Sequence, residues 1–383
     1  MKRVLWFLGL FAVVCPALAG EGEYTGSGAA LIGDLPPEEN GRFDWPEHPS
    51  SARKIVGGVG FYLVKPIFGS NPAYYSSQTV TPPPGSTSYT SSGVIDFSWG
   101  AKVAPRFWLG YQASEDWTFR GQYWHFDNSS ETIQLTHAAD GPGALTTIGT
   151  VGVVPFTSTP LATGSPADAI TIGSSLAFNV ADLEAVRKGQ IGCWDLQGSV
   201  GIRYVDLTQN YNASLTNAGD PNAQIAARTN LQSEHNVFHG FGPVLGGRAS
   251  YPVGWGLSTY GDARGSVVFG TATQSGAQLF SGGAPQTQFF NYSSDRTIAL
   301  PIGELELGVS WALQTDQCLW TVSTGFMSQV WYNAGAAAIG AGGTSVQSSA
   351  FSGNVLPVGG SLSTASNSSM YLVGWTLALG VAF

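Results

Sequence analysis

Between residues 94 and 112 apolar and polar side chains alternate. Ile95, Phe97, Trp99, Ala101, Val103, Phe107, Leu109 and Tyr111 share one parity, and Asp96, Ser98, Gly100, Lys102, Arg106 and Gln112 share the other. A period of two is that of a β-strand whose two faces meet different surroundings. The pattern returns further on. Leu196, Val200, Ile202 and Tyr204 oppose Gln197, Ser199, Gly201 and Arg203, and Leu305, Leu307, Val309 and Trp311 oppose Glu304, Glu306, Gly308 and Ser310. In the last segment Tyr371, Val373, Trp375, Leu377, Leu379, Val381 and Phe383 alternate with Leu372 and small residues from Gly374 to Ala382. Ten such strands are predicted, at 55–65, 94–112, 117–127, 176–188, 192–207, 236–250, 255–269, 296–313, 318–333 and 369–383.

The connections alternate in length. Short ones fall at 114–116, 189–191, 251–254 and 314–317, and long ones, rich in Ser, Thr, Gly, Ala and Pro, at 66–93, 128–175, 208–235, 270–295 and 334–368. Short turns at one end, long loops at the other and an even strand count predict an all-β fold. It is a single antiparallel transmembrane β-barrel over 55–383, with short periplasmic turns, long external loops and both termini in the periplasm. Twelve and eight strands are the alternatives to ten; twelve would follow if Thr132–Thr136 and Thr146–Val154 formed a hairpin within the longest loop.

Composition moves the picture further toward a membrane. Only 11% of residues are charged and 12% are aromatic. No segment after the N-terminus approaches the roughly 18 to 20 apolar residues of a spanning helix, which leaves closed strands as the means of crossing. Trp108, Tyr111, Trp117, Trp194, Tyr251, Trp255, Trp311 and Trp320 cluster near the short turns, and Tyr123, Trp124, Tyr211, Trp331 and Tyr332 near the long loops, as two interfacial aromatic belts would. At the N-terminus Lys2 and Arg3 precede the apolar run Val4 to Val14, and Ala17-Leu18-Ala19 supplies small residues, so residues 1–19 are expected to be a signal peptide. Residues 20–54, with seven acidic side chains and Pro36-Pro37, are expected to be a flexible acidic periplasmic segment. Removing 1–19 takes the net charge from −9 to −11 through loss of Lys2 and Arg3, a balance that argues against nucleic acid as a partner.

An Arg facing lipid at mid-membrane costs about 2 to 4 kcal/mol, so the charged parity must face the lumen. It contains six cations, Lys102, Arg106, Arg120, Arg203, Arg248 and Arg264, and six anions, Asp96, Asp182, Glu184, Asp262, Glu304 and Glu306. Such a set lines a water-filled passage whose field sorts small solutes or ions. It could equally pair across the interior and fill a closed barrel. With about ten strands the lumen must be narrow, and inward Gly201, Gly242, Gly246 and Gly308 would leave it some room.

Catalytic patterns are weak. His48, His125, His137, His235 and His239 are scattered, none at a metal-pair spacing, and His125 and His239 fall on the outward parity near the external end, where they would anchor at the interface. Gly240, Gly242 and Gly246 sit inside an alternating strand rather than before a helix, which excludes a phosphate-binding turn. Cys193 and Cys318 begin different strands with opposite parity and are not expected to pair. No cofactor or metal is implied and no enzymatic activity is expected. A hydrolytic barrel would need Ser, His and an acid or amide at one depth, and among so many serines no set stands out. The expected function is passive diffusion of small solutes or ions through a charged lumen; the alternative is a non-conducting structural or surface-interaction barrel.

The segments Tyr123-Trp-His-Phe126, Asp182-Leu-Glu184, Gly198-Ser-Val-Gly-Ile-Arg-Tyr204, Phe238 through Pro243 and Glu304-Leu-Glu-Leu-Gly308 resemble the Legionella-type major outer membrane pore-forming protein family, including its planctomycete relatives. The resemblance covers roughly residues 55–383. It implies a pore-forming barrel in the outer membrane of a Gram-negative bacterium, with outer-membrane lipid around it and Arg203, Glu304 and Glu306 in the lumen. The terminal residues Trp375, Leu377, Leu379, Val381 and Phe383 resemble the C-terminal signal read by the barrel assembly machinery. Oligomeric state is left open.

Overall fold

A computed structural model describes residues 54–80, 89–137, 144–147, 157–158, 168–219, 227–282, 288–315, 318–335 and 368–383. The chain divides into two units, Met1–Asp44 and Trp45–Phe383. The signal peptide and the acidic segment up to residue 53 lie outside the described residues.

Fifteen strands are described: β1 (Lys54–Phe68), β2 (Pro72–Val80), β3 (Tyr89–Asp96), β4 (Lys102–Gln112), β5 (Trp117–Ser129), β6 (Ile133–His137), β7 (Ala144–Thr147), β8 (Thr157–Ser158), β9 (Asp168–Ile191), β10 (Trp194–Asn217), β11 (Arg228–Gly254), β12 (Leu257–Gly282), β13 (Gln288–Gln314), β14 (Leu319–Trp331) and β15 (Met370–Ala382). Ten of them close a ring in the order β1-β4-β5-β9-β10-β11-β12-β13-β14-β15, each pair antiparallel, with β15 returning to β1. The closure is sealed at the chain end, where Ile55 N–H donates to Phe383 O at 2.9 Å and Phe383 N–H to Ile55 O at 3.1 Å. A closed ring leaves no unpaired edge in the hydrocarbon, the condition for a sheet to span it. The first member of the proposed hidden hairpin is placed elsewhere, β6 pairing with the outer part of β9; of the second, residues 146–147 fall in β7, which joins β2, β3 and β8 in a separate four-stranded sheet, and 148–154 lie outside the described residues.

The outward band is apolar, as the alternation requires. Leu109, Leu183, Ile202, Phe241, Leu245, Phe269, Leu307 and Trp375 are all exposed on it. Strands β9 to β13 run 24 to 27 residues, far beyond the roughly 9 to 11 needed to cross a bilayer, so they continue as a tall external wall. Residues 208–235 and 270–295, expected to be loops, are therefore largely the upper halves of β10 to β13. Above the membrane the outward face meets water, so the outward apolar alternation that marks a spanning segment disappears, while inward Tyr211, Ala213 and Leu215 stay buried among polar Gln209 and Asn217.

The expected strand 94–112 is two strands. Phe97 and Trp99 leave the outward parity and pack inward, Phe97 against Tyr211 at 5.9 Å and Trp99 against Phe68 at 5.4 Å between ring centroids. Burial of two aromatic rings outweighs continuation of the ladder. Two turns also move. The β9–β10 hairpin turns at Gly192-Cys193, where Gly192 has φ 60°, and the β11–β12 hairpin at Trp255-Gly256, with φ 52° and 75°. Positive φ at the first central residue in the one, and at both in the other, are the two-residue geometries that match strand twist.

Candidate functional site

Parity places the charged side chains inside the ring, and pairing register brings them to one depth. Arg203 on β10 lies directly opposite Asp182 on β9, Glu184 on β9 opposite Arg120 on β5, and Arg264 on β12 opposite Glu304 on β13. The side chains then reach further than their own neighbours. The Arg203 guanidinium, 1% exposed, donates from Nε and Nη2 to both Asp182 oxygens at 2.7 and 2.9 Å, from Nη1 to Ser266 Oγ at 3.3 Å, and to Glu304. Arg264 donates to Asp182 at 3.2 Å and to Glu184, and stands 3.9 Å from Glu304. Arg120 donates to the second Glu184 oxygen at 2.7 Å. On the far side Arg106 of β4 reaches Glu306 of β13 at 3.7 Å and donates to Gln122 of β5 at 2.9 Å. Tyr260 donates to Glu306 at 2.6 Å.

The result is an ionic bridge that crosses the lumen within the height of the apolar band and joins β4, β5, β9, β10, β12 and β13. Arg106, Arg120, Arg203 and Arg264 balance Asp182, Glu184, Glu304 and Glu306, so its net charge is zero. Buried charges are tolerated when paired and hydrogen-bonded, and each buried member has at least two partners here. Arg248 and Asp262 face one another across β11 and β12, with the Arg248 guanidinium 4.0 Å from the Tyr260 ring centroid. Space for the arginines comes from glycine. A Cβ on Gly246 would lie 3.1 Å from Arg264 Cγ and 2.6 Å from Ser199 Oγ, and one on Gly201 would lie 2.9 Å from Glu184 Cγ. The room expected for water at these positions is taken by side chains.

External to the bridge the lumen is apolar. Phe178 packs on Trp124, Phe126 and Trp331 at 4.9 to 5.0 Å between centroids, and Trp124 on Tyr62 at 5.3 Å. Trp124, Tyr211 and Trp331, expected in the external belt, are buried in this layer instead, and Trp108 faces inward 5.5 Å from Arg106. Their parity matches that of the lumen charges, and only nearness to a loop or turn had suggested otherwise.

Of the twelve expected lumen residues, ten are brought together: Arg106, Arg120, Asp182, Glu184, Arg203, Arg248, Asp262, Arg264, Glu304 and Glu306. Asp96 is not among them, because it ends β3 in the four-stranded outer sheet and is exposed. Lys102 opens β4 at the external rim, also exposed. Sequence reasoning missed Tyr62, Gln122, Tyr260 and Ser266. Gln122, Tyr260 and Ser266 stand two positions from Arg120, Asp262 and Arg264, so the same-face rule applied to neutral residues would have found them. At the chain end Trp375, Leu377, Leu379 and Phe383 are exposed on the outward face, with Val381 half-buried between Gly57 and Trp320. Among the described residues no three His, Cys, Asp or Glu side chains gather as a metal site would need.

Known proteins bear on this barrel in three ways. The solved structures it matches include the outer membrane protease OmpT from Escherichia coli, at 8% identity over 86% of this chain and 96% of that one, TM-score 0.36. They also include a Pseudomonas aeruginosa FadL homologue, at 8% identity over 86% and 90%, TM-score 0.23. No curated protein matches. The family described as Legionella pneumophila major outer membrane protein precursor matches residues 49–364, most of the length and nearly all of the barrel up to the final strand. This chain belongs to that family and is a protein of the outer membrane.

Proposed function

We propose that this protein is an outer-membrane channel for passive diffusion of small solutes or ions, narrow, lined with charge and shut at the ionic bridge in the conformation described. One observation carries the reading: the weakest link of the bridge is held by groups that each keep another partner. Arg106 and Glu306 are 3.7 Å apart and 18% and 19% exposed. When they part, Arg106 retains Gln122 and Glu306 retains Tyr260. Opening there breaks one long contact and leaves each group a neutral hydrogen-bond partner, whereas opening at Arg203 breaks a bidentate pair at 2.7 and 2.9 Å and the contact to Glu304. About a fifth exposed, this pair is weaker than the bidentate Arg203–Asp182 pair, 1% exposed on both sides, and is the first to part.

The aromatic layer of Trp124, Phe126, Phe178 and Trp331 favours a second reading, a barrel that never conducts. Single-channel recording in a planar bilayer separates the two. Wild-type protein should give small, brief openings, and Arg106→Gln should raise their frequency several-fold. Absence of reproducible unitary currents in both proteins leaves the non-conducting barrel standing.

A further inference from the structure

The lumen is not the only place where chemistry-bearing side chains converge. On the outside of the external wall, Ser233 and His235 stand two residues apart on β11 and therefore on one face. Register sets Asn210 of β10 directly opposite His235 and Asn212 opposite Ser233. The side chains form a chain. Ser233 Oγ is 3.2 Å from His235 Nε2, His235 Nδ1 is 2.6 Å from Asn210 Oδ1, and Asn210 Nδ2 donates to Ser175 Oγ of β9 at 2.9 Å. Ser233 Oγ donates to Asn212 Oδ1 at 2.8 Å.

The order of these contacts fixes their roles. The Ser175 contact turns the Asn210 amide so that its carbonyl oxygen faces the imidazole. A carbonyl only accepts, so His235 carries its proton on Nδ1, and Nε2 is left as a base 3.2 Å from Ser233 Oγ, whose proton rests on Asn212 Oδ1 and rotates to Nε2 for transfer. A nucleophile, a base and a third group that orients the base are the parts of a serine hydrolase, and they are recognised by geometry rather than by position in the chain. Beside Ser233 lies a groove of about 540 Å³ whose lining includes Asn212, Leu231, Ala277, Leu279 and Thr171. Leu231, Ala277 and Leu279 give it an apolar floor.

We propose that this face is a carboxylic ester hydrolase site, with Ser233 as nucleophile and His235 as general base. Asn210 positions the imidazole, and the groove takes the apolar acyl group. Ser233 Oγ attacks the ester carbonyl while its proton passes to His235 Nε2. The tetrahedral intermediate collapses, the C–O bond to the alcohol breaks, and the departing oxygen takes the proton from His235. Water then attacks the acyl-serine, giving its proton to Nε2. Collapse releases the carboxylic acid and returns that proton to Ser233.

Depth selects the kind of ester. Phe241 is exposed on the outward band of β11 and His239 is its polar rim; Ser233 lies six positions beyond His239, between the isolated outward residues Val237 and Leu231. At about 3.3 Å per residue and a tilt near 40° that is roughly 15 Å above the hydrocarbon. An acyl ester buried with its lipid does not rise so far, so the substrate arrives from the water side with a short apolar acyl chain.

The test uses purified, folded protein with 4-nitrophenyl butyrate, vesicles of diacyl phosphatidylethanolamine and a fluorophosphonate probe. Expected are butyrate turnover and covalent labelling in the wild type, and loss of both in Ser233→Ala and His235→Ala. Asn210→Ala should lower kcat and move the alkaline and acid limbs of its pH profile, and Asn210→Asp should restore the rate, outcomes that a purely structural Asn210 would not give. Channel recordings of Ser233→Ala should match the wild type, which separates this site from the lumen. Turnover that survives Ser233→Ala, or no labelling of folded wild-type protein, overturns the proposal. Release of fatty acid from the vesicles without butyrate turnover overturns the water-side assignment.

Discussion

Replacing Arg203 by Met tests whether the bridge is a stabilising unit or a set of incidental contacts. Met approximates the volume of the arginine stem and removes every guanidinium N–H. Asp182 then loses a bidentate partner at 2.7 and 2.9 Å, and Glu304 loses its closest cation. Breaking a buried pair costs about 3 to 5 kcal/mol because the surviving charge stays buried. Arg264, 3.2 Å from Asp182, offsets part of this, which places the expected loss near 3 kcal/mol, or about 100-fold in the folding equilibrium. Arg120, 25% exposed, makes a control: its buried partner Glu184 keeps Arg264, so Arg120→Met should cost clearly less than Arg203→Met. Adding Asp182→Asn to Arg203→Met restores neutrality and should recover at least half of the loss. The assay is urea unfolding of the refolded barrel in detergent, followed by tryptophan fluorescence. Equal effects of Arg203→Met and Arg120→Met would refute the idea that burial and shared pairing set the energy of the bridge.

Leu377→Arg should destabilise the barrel by about 2 to 4 kcal/mol and Val381→Arg by about 1 or less, because the cost of a lipid-facing cation falls toward the interface; vesicle-refolding titrations check the gradient, and equal costs would mean the strand is placed at the wrong depth. Gly246→Ala puts a methyl 2.6 Å from Ser199 Oγ and should cost about 1 to 3 kcal/mol by overpacking against Arg264, read as a lowered urea midpoint. Trp255, 94% exposed at φ 52°, packs little, and Trp311 Nε1 bonds only its backbone oxygen at 3.3 Å. Trp255→Asn should therefore raise stability by about 0.5 kcal/mol through better turn geometry, and a fall in the unfolding midpoint would count against it.

How much of this was legible in the sequence depends on what each face touches. Where one face meets lipid and the other the lumen, a period of two is enforced at each position, and the spanning parts of all ten ring strands were found. Where strands rise above the bilayer, the constraint ends. Gln209, Asn230, Gln232 and Asn236 face inward and Asn212, Ser233 and His235 outward, so neither parity is apolar, and β10 to β13 were read as loops for half their length. What holds them as strands is the backbone ladder, which side-chain pattern does not encode. Phe97 and Trp99 mislead in the opposite sense, since their alternation suits a lipid face while their rings pack in the lumen.

The two candidate sites differ in legibility for the same reason. A lumen charge announces itself because any other location in a membrane strand is costly, so parity alone selected the eight residues of the bridge and, beside it, Arg248 and Asp262. What parity omits is reach: whether Arg264 pairs with Glu304 beside it or with Glu184 three strands away is decided by side-chain length and by glycines such as Gly246 that clear its path. The outer Ser-His-Asn chain carries no such cost. Ser233 and His235 are visible as neighbours at a spacing of two, yet Asn210 joins them only through the β10–β11 register, and that register is fixed by pairing begun in the membrane-spanning halves far below. A hairpin whose lower half is dictated by lipid thus aligns its upper half without any local signal. Chemistry can accumulate there unseen, since any hydrophilic residue satisfies the wall, and only the pairing says which ones meet.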